Sequence, residues 1–173
     1  MSRSELKTWT GPHGSGSGWI CDTCGQPIEN AGQGFLEWLE RYDKQSKATI
    51  NRGIHIVHHA IHSPNKESGR NCYFERFAEF RKDGSTLSGG HLDTFLGDDG
   101  LTQLLAMLGD GFQLRDELLE VIMRLHIENY ERARPHLKRA VSEGGIEPNM
   151  RAGFHWQQDL RSVVSDYSEK SED

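Results

Sequence analysis

Cys21-Asp22-Thr23-Cys24-Gly25 is the stretch on which the fold of this chain turns. Two cysteines separated by two residues, with a glycine after the second, form a tight turn in which successive backbone N–H groups point at the sulfurs and both thiolates converge on one ion. Zinc takes four ligands in tetrahedral array and accepts thiolate sulfur and imidazole nitrogen, so the pair needs two more donors from elsewhere in the chain. The only other cysteine is Cys72, and the densest group of histidines, His55, His58, His59 and His62, lies between. With His58 the spacing is C-x2-C-x33-H-x13-C, a Cys3His set of Cys21, Cys24, His58 and Cys72, with His59 as the alternative to His58.

The choice between the two histidines follows from the segment that carries them. Gly53-Ile54-His55-Ile56-Val57-His58-His59 has the β-branched content and the short length of a strand. Side chains alternate across a strand, so Ile54, Ile56 and His58 share one face and His55, Val57 and His59 the other. His58 therefore ends the more apolar face. Two other uses of a C-x-x-C pair are weaker. A redox dithiol of the thioredoxin kind would have its aromatic next to the first cysteine and a βαβ pattern around it; Trp19 stands two residues before Cys21 and no such pattern is present. A secreted disulfide framework fails because three cysteines cannot all pair and Met1 to Thr10 has no apolar signal core.

Outward from the cysteine turn, Thr10 to Gly18 (TGPHGSGSG) offers no apolar side chain to bury, and residues 1–18 read as a flexible leader. The run Phe35 to Glu40 reads as a strand, Arg41 to Arg52 as a turn or hairpin loop, and His62 to Asn71 as a polar loop returning the chain to Cys72. Tyr73, Phe74, Phe77 and Phe80 follow it as core packing or as an aromatic cover over the metal turn. Asp83 to Gly90 reads as a second flexible break, after which leucines recur at helical spacing. Leu92, Phe95 and Leu96 make a short helix, Asp98 or Asp99 caps the next one, and Leu101, Leu104, Leu105 and Leu108 form its stripe up to Gly109. A long helix is expected from Leu114 through Tyr130 and Ala133, kinked or restarted at Pro135. His126 and His136 are read as surface residues on it, and a last helix runs from Met150 to Tyr167.

The fold class expected is α+β, a small metal-stapled β subdomain followed by an α-helical part. The domains are placed at 19–82 and 91–167, with a tail at 168–173 that is acidic. At 173 residues the chain is long enough to bury a real core, and no apolar run approaches the roughly 20 residues needed to cross a bilayer, so no membrane partner and a cytoplasmic location are expected. The formal charge of −6 is unevenly shared, residues 91–173 carrying 9 Lys+Arg against 16 Asp+Glu. An acidic helical half speaks against a broad phosphate-binding surface.

The cysteine turn, the strands after it and the late Cys72 resemble zinc-ribbon and treble-clef zinc fingers over residues 19–74, with the usual second C-x-x-C replaced by His58 and Cys72. The resemblance implies a structural Zn2+ whose four protein ligands leave no position for water, and hence no catalysis at the metal. Three functions then compete. The first is a non-enzymatic interaction or regulatory protein, whose acidic helices suit a protein partner or self-association. The second is a nucleic-acid-binding regulator using Lys66, Arg70 and the neighbouring aromatics, against which the net charge counts. The third is an enzyme of the HNH nuclease kind, similar in the order of His58-His59 followed by Asn65 or Asn71, but lacking that pattern's second cysteine pair and closing histidine.

Overall fold

A computed structural model of the chain describes residues 18–64, 67, 71–74, 83–147 and 153–168. Residues 1–17 of the expected leader, Asn65, Lys66, Arg70, Phe77, Phe80, Met150 and the tail beyond 168 lie outside the described residues. Small antiparallel sheets occupy the N-terminal half and four helices follow, so the fold is α+β as expected.

Strand β1 (Trp19–Ile20) pairs antiparallel with β2 (Pro27–Ile28) across the cysteine turn. A three-stranded sheet in the order β4-β3-β5 is formed by β3 (Gly34–Asp43), β4 (Ala48–His58) and β5 (Thr86–His91). Leu36, Ile54, Ile56 and Val57 are buried from this sheet, and Trp19, Cys21 and Ile28 join them from the hairpin. The register of β3 against β4 slips between Glu37 and Leu39, which face His55 and Arg52, so β4 carries one extra residue there. Gly53 sits in that bulge with φ +54°, and a Cβ on it would lie 2.8 Å from the Phe74 ring. The bulge restarts the alternation so that Ile54, Ile56 and His58 all point into buried positions.

Two expectations about this sheet are corrected. The segment Arg41 to Arg52 is mostly strand, since β3 runs to Asp43 and β4 begins at Ala48, leaving only 44–47 as a turn. That turn is closed by the Asp43 carboxylate, which accepts from the Ser46 N–H at 3.0 Å and the Ser46 hydroxyl at 2.6 Å, and by Lys47 in the left-handed region at φ 54°. The hairpin projects past the core, leaving Tyr42 exposed and Ile50 half-buried although its backbone is paired. Residues Thr86 to Gly90, read as a flexible break, form most of β5. Its glycines serve close approach rather than flexibility: a Cβ on Gly89 would lie 2.2 Å from the Leu36 carbonyl oxygen and 2.8 Å from the Phe35 ring.

A 3-10 turn at Leu92–Phe95 leads into helix α1 (Gly97–Gly109), followed by α2 (Arg115–His126), α3 (Tyr130–Ser142) and α4 (Gln157–Ser168). Neither aspartate caps α1; the cap position is Leu96, without a side-chain hydrogen bond, and Asp98 and Asp99 fall in the first turn, where their charge complements the positive end of the helix. The long helix from Leu114 is interrupted earlier than expected. It stops at His126, Asn129 turns the chain in the left-handed region at φ 64°, and Pro135 sits exposed inside α3. The last helix starts at Gln157, leaving Phe154 ahead of it.

The core falls into two clusters. Leu104 of α1 and Leu118, Val121 and Leu125 of α2 pack with the sheet and the cysteine hairpin. Tyr130, Ala133, Leu137 and Ala140 of α3 pack with Leu160, Val163 and Val164 of α4 and with Ile146. Of the expected α1 stripe only Leu104 is fully buried, Leu101 and Leu108 being half-buried and Leu105 exposed; the apolar face of α2 is buried against the β elements, and those of α3 and α4 against each other.

Candidate metal centre

The turn between β1 and β2 is built by its own backbone. The Cys21 N–H donates to the Gln26 carbonyl at 3.0 Å and the Gly25 N–H to the Cys21 carbonyl at 2.9 Å. Gly25, at φ +71°, supplies the left-handed residue that closes it. The hairpin is laid against β4 by the Asp22 N–H, which donates to the Ile56 carbonyl at 2.8 Å. His58, the last residue of β4, is thereby brought over the two cysteines. Cys72 arrives from the far side of the loop, its N–H donating to the buried Ser63 hydroxyl at 3.1 Å and its carbonyl accepting from the Thr23 hydroxyl at 2.7 Å.

The result is a group of four donor atoms, Sγ of Cys21, Cys24 and Cys72 and a ring nitrogen of His58, all within 4.8 Å of one another and positioned to bind a metal ion. Nδ1 of His58 lies 3.4 Å from Cys24 Sγ and 3.9 Å from Cys72 Sγ. Metal–sulfur bonds of about 2.3 Å and metal–nitrogen bonds of about 2.1 Å in a tetrahedron put such donors roughly 3.5–3.8 Å apart, so the separations fit. The other ring nitrogen, Nε2, lies 3.0 Å from the Pro27 carbonyl oxygen. A carbonyl can only accept, so Nε2 carries the proton and Nδ1 presents its lone pair to the three sulfurs. His59, the alternative, lies outside the set. Among the described residues no other group of three or more such side chains has its donor atoms converged.

Cys21, Cys72 and His58 are buried and Cys24 is half-buried, and no disulfide links the three cysteines. Burial pushes the Cys21 thiol up to about 12 and raises that of Cys72 as well. A cation placed between these sulfurs would favour their thiolate forms and displace the protons, which suits a metal centre.

A second set of residues escaped the sequence reading. Asp22, the residue between the two cysteines, accepts from Nη1 of Arg124 on α2 at 2.7 and 2.9 Å, and from the Ile56 N–H at 2.8 Å. Arg124 is 3 % exposed. It also donates to the Ile20 carbonyl at 2.9 Å and forks onto Glu131 of α3 at 2.7 and 3.0 Å. Burial disfavours the charged guanidinium, but the hydrogen bonds and charges of Glu131 and Asp22 outweigh it and hold Arg124 in its charged form. Glu131 reaches back to accept the Ile20 N–H at 2.9 Å. One arginine thus ties the metal turn to both α2 and α3. A signal for it was present: Arg124 falls in the apolar stripe of α2, with Leu118, Val121 and Leu125. His126, read as a surface residue, is half-buried and its Nε2 lies 3.0 Å from the Phe95 carbonyl oxygen.

Comparison with protein-family models, with curated proteins and with solved structures finds no match to this chain. No described helix is long and apolar enough to cross a membrane.

Proposed function

We propose that this chain is a non-enzymatic interaction or regulatory protein whose fold is stapled by a structural Zn2+ on Cys21, Cys24, His58 and Cys72. The observation that carries the reading is the closed, mostly buried set of three sulfurs and one oriented imidazole nitrogen, whose separations suit a tetrahedral ion. Four protein donors leave no place for a reacting water, so the ion's contribution is to folding, on the order of 10 kcal/mol for a site of this kind. The cysteine hairpin has strands of only two residues, and the ion would tie it to the end of β4 and to Cys72 at the edge of the core they share.

An interaction role is supported by the acidic helical half, which exposes large apolar side chains among its charges: Trp156 is 57 % and Leu105 52 % exposed. Such a surface suits a protein partner or a second copy of the chain better than a phosphate backbone. An HNH-type reaction would need both members of the histidine pair near one catalytic ion, and His58 is committed to the sulfur set.

Elemental analysis of the purified protein and of Cys72→Ala tests the staple. One equivalent of zinc is expected in the parent, with loss of both zinc and folded-state circular dichroism in the variant. Zinc-free folded parent, or a variant that keeps its zinc, would sink the reading. Light scattering after size-exclusion chromatography at two protein concentrations tests self-association. A monomer at both removes that arm and leaves the protein partner.

A further inference from the structure

Beside the sulfur set, and sharing none of its donors, lies a second group of imidazoles. His59 follows β4 and its N–H donates to the Gln33 carbonyl at 2.7 Å. The 3-10 turn Ala60–His62 then places His62 near it, with the His62 N–H on the His59 carbonyl at 2.8 Å. His91, at the end of β5, is paired with Phe35 of the central strand. The His59 and His91 rings stack with centroids 4.7 Å apart, and the His59 and His62 rings are 6.4 Å apart. Phe35 and Tyr73 stand against them, with Phe35 5.8 Å from His91 and Tyr73 6.1 Å from His59.

We infer that His59, His62 and His91 form a second metal site, open to solvent, for a divalent transition ion that favours imidazole, such as zinc, nickel or copper. Imidazoles bound through nitrogen to one tetrahedral ion have ring centroids about 5 Å apart, because each centroid lies roughly 3 Å from the metal. The two separations bracket that value. The ring nitrogens of the trio are not converged as those of the sulfur set are, and bringing them together would take rotation of His62 and His91, which are exposed, toward the half-buried His59. Among the described residues none of the three rings makes a hydrogen bond or ion pair that would have to be broken. No described carboxylate is paired with them either. Phe35 and Tyr73 give the trio an apolar wall on one side. Three protein donors leave a fourth position for water or for a donor from a partner, in contrast to the closed sulfur set.

The test starts from protein already holding its one equivalent of metal. Calorimetric titration with Zn2+ is expected to show a further equivalent with a Kd on the order of micromolar, weakened at least ~10-fold by His91→Ala and by His62→Ala. Neither residue belongs to the sulfur set, so the first equivalent and the thermal midpoint should be unchanged in both variants. Titration with Ni2+ should broaden the imidazole NMR signals of the same three residues before any others. The inference falls if no second equivalent is taken up below about millimolar Zn2+, or if both variants retain it. Either result leaves the count of tightly held metal as the separate measure of the structural site.

Discussion

Arg124 is a full charge placed in the apolar stripe of a helix, and what makes that placement tolerable is the number of acceptors around it. Asp22, Glu131 and the Ile20 carbonyl together satisfy the guanidinium. Arg124→Met should therefore cost about 3–5 kcal/mol, because it takes from Glu131, 2 % exposed, its forked partner and leaves it only the Arg134 guanidinium at 3.4 Å as counter-charge. Urea denaturation reads this directly. The double variant Arg124→Met/Glu131→Met should recover a large part of the loss; a single variant within about 1 kcal/mol of the parent would mean the pair is not what holds the turn to the helices. At the same scale, the raised thiols of Cys21 and Cys72 would set the pH dependence of the proposed metal binding. Each must release a proton on binding, so protons compete with the ion and affinity falls as pH falls. Two protons displaced imply a drop of at least ~100-fold per pH unit between pH 8 and pH 6, measurable by competition with a chelator of known affinity. A pH-independent affinity would contradict thiolate ligation.

Strand β5 shows how an element can be hidden in a sequence. Thr86-Leu87-Ser88-Gly89-Gly90-His91 has neither alternation nor β-branched density, and its glycines read as flexibility. What holds it is backbone pairing to β3, from Phe35↔His91 to Glu40↔Thr86, with glycine where a side chain would strike the central strand. Gly89→Ala should then destabilise by more than about 2 kcal/mol. Gly84→Ala, at φ +78° but with nothing within 4 Å of the added carbon, should cost only about 1 kcal/mol from backbone strain. Thermal melts of the two variants compare them. Equal losses would show that Gly89 is conformationally and not sterically required. The hairpin β3–β4 was half legible for the converse reason: its buried end, Leu36 and Ile54 to His58, carries the apolar pattern, and its projecting end carries only paired backbone.

For the whole molecule, the division of the core predicts how the fold comes apart. The metal set, the sheet, α1 and α2 share one apolar cluster, and α3 and α4 share another. With the proposed ion in place, its removal by a chelator should release the first cluster as a unit. Hydrogen exchange is expected to rise in β3, β4, α1 and α2 together, while α3 and α4 keep more of their protection. Uniform loss across all four helices would instead mean that the Arg124–Glu131 pair makes the two clusters one cooperative unit.

The α+β class and the four donors of the metal set could be read from local pattern alone: a C-x-x-C turn with glycine, one remaining cysteine, and a histidine ending the apolar face of a β-branched strand. These are signals of residue type and count, set by ligand chemistry and by the two-residue period of a strand, although the donors they name are distant in the chain. The helical stripes of α1 and α2 were legible in the same way, but not the surface they cover, because a stripe of leucines does not name its partner. Three features depend on residues far apart in the chain and were decided only by the tertiary structure. Asp22 meets Arg124 across 102 positions. Gly89 is required by the proximity of Leu36, and His91 reaches His59 only because β5 pairs with the central strand. In each case the physical cause is long-range packing, which brings a charge to its acceptor, a backbone to its neighbour and one imidazole to another.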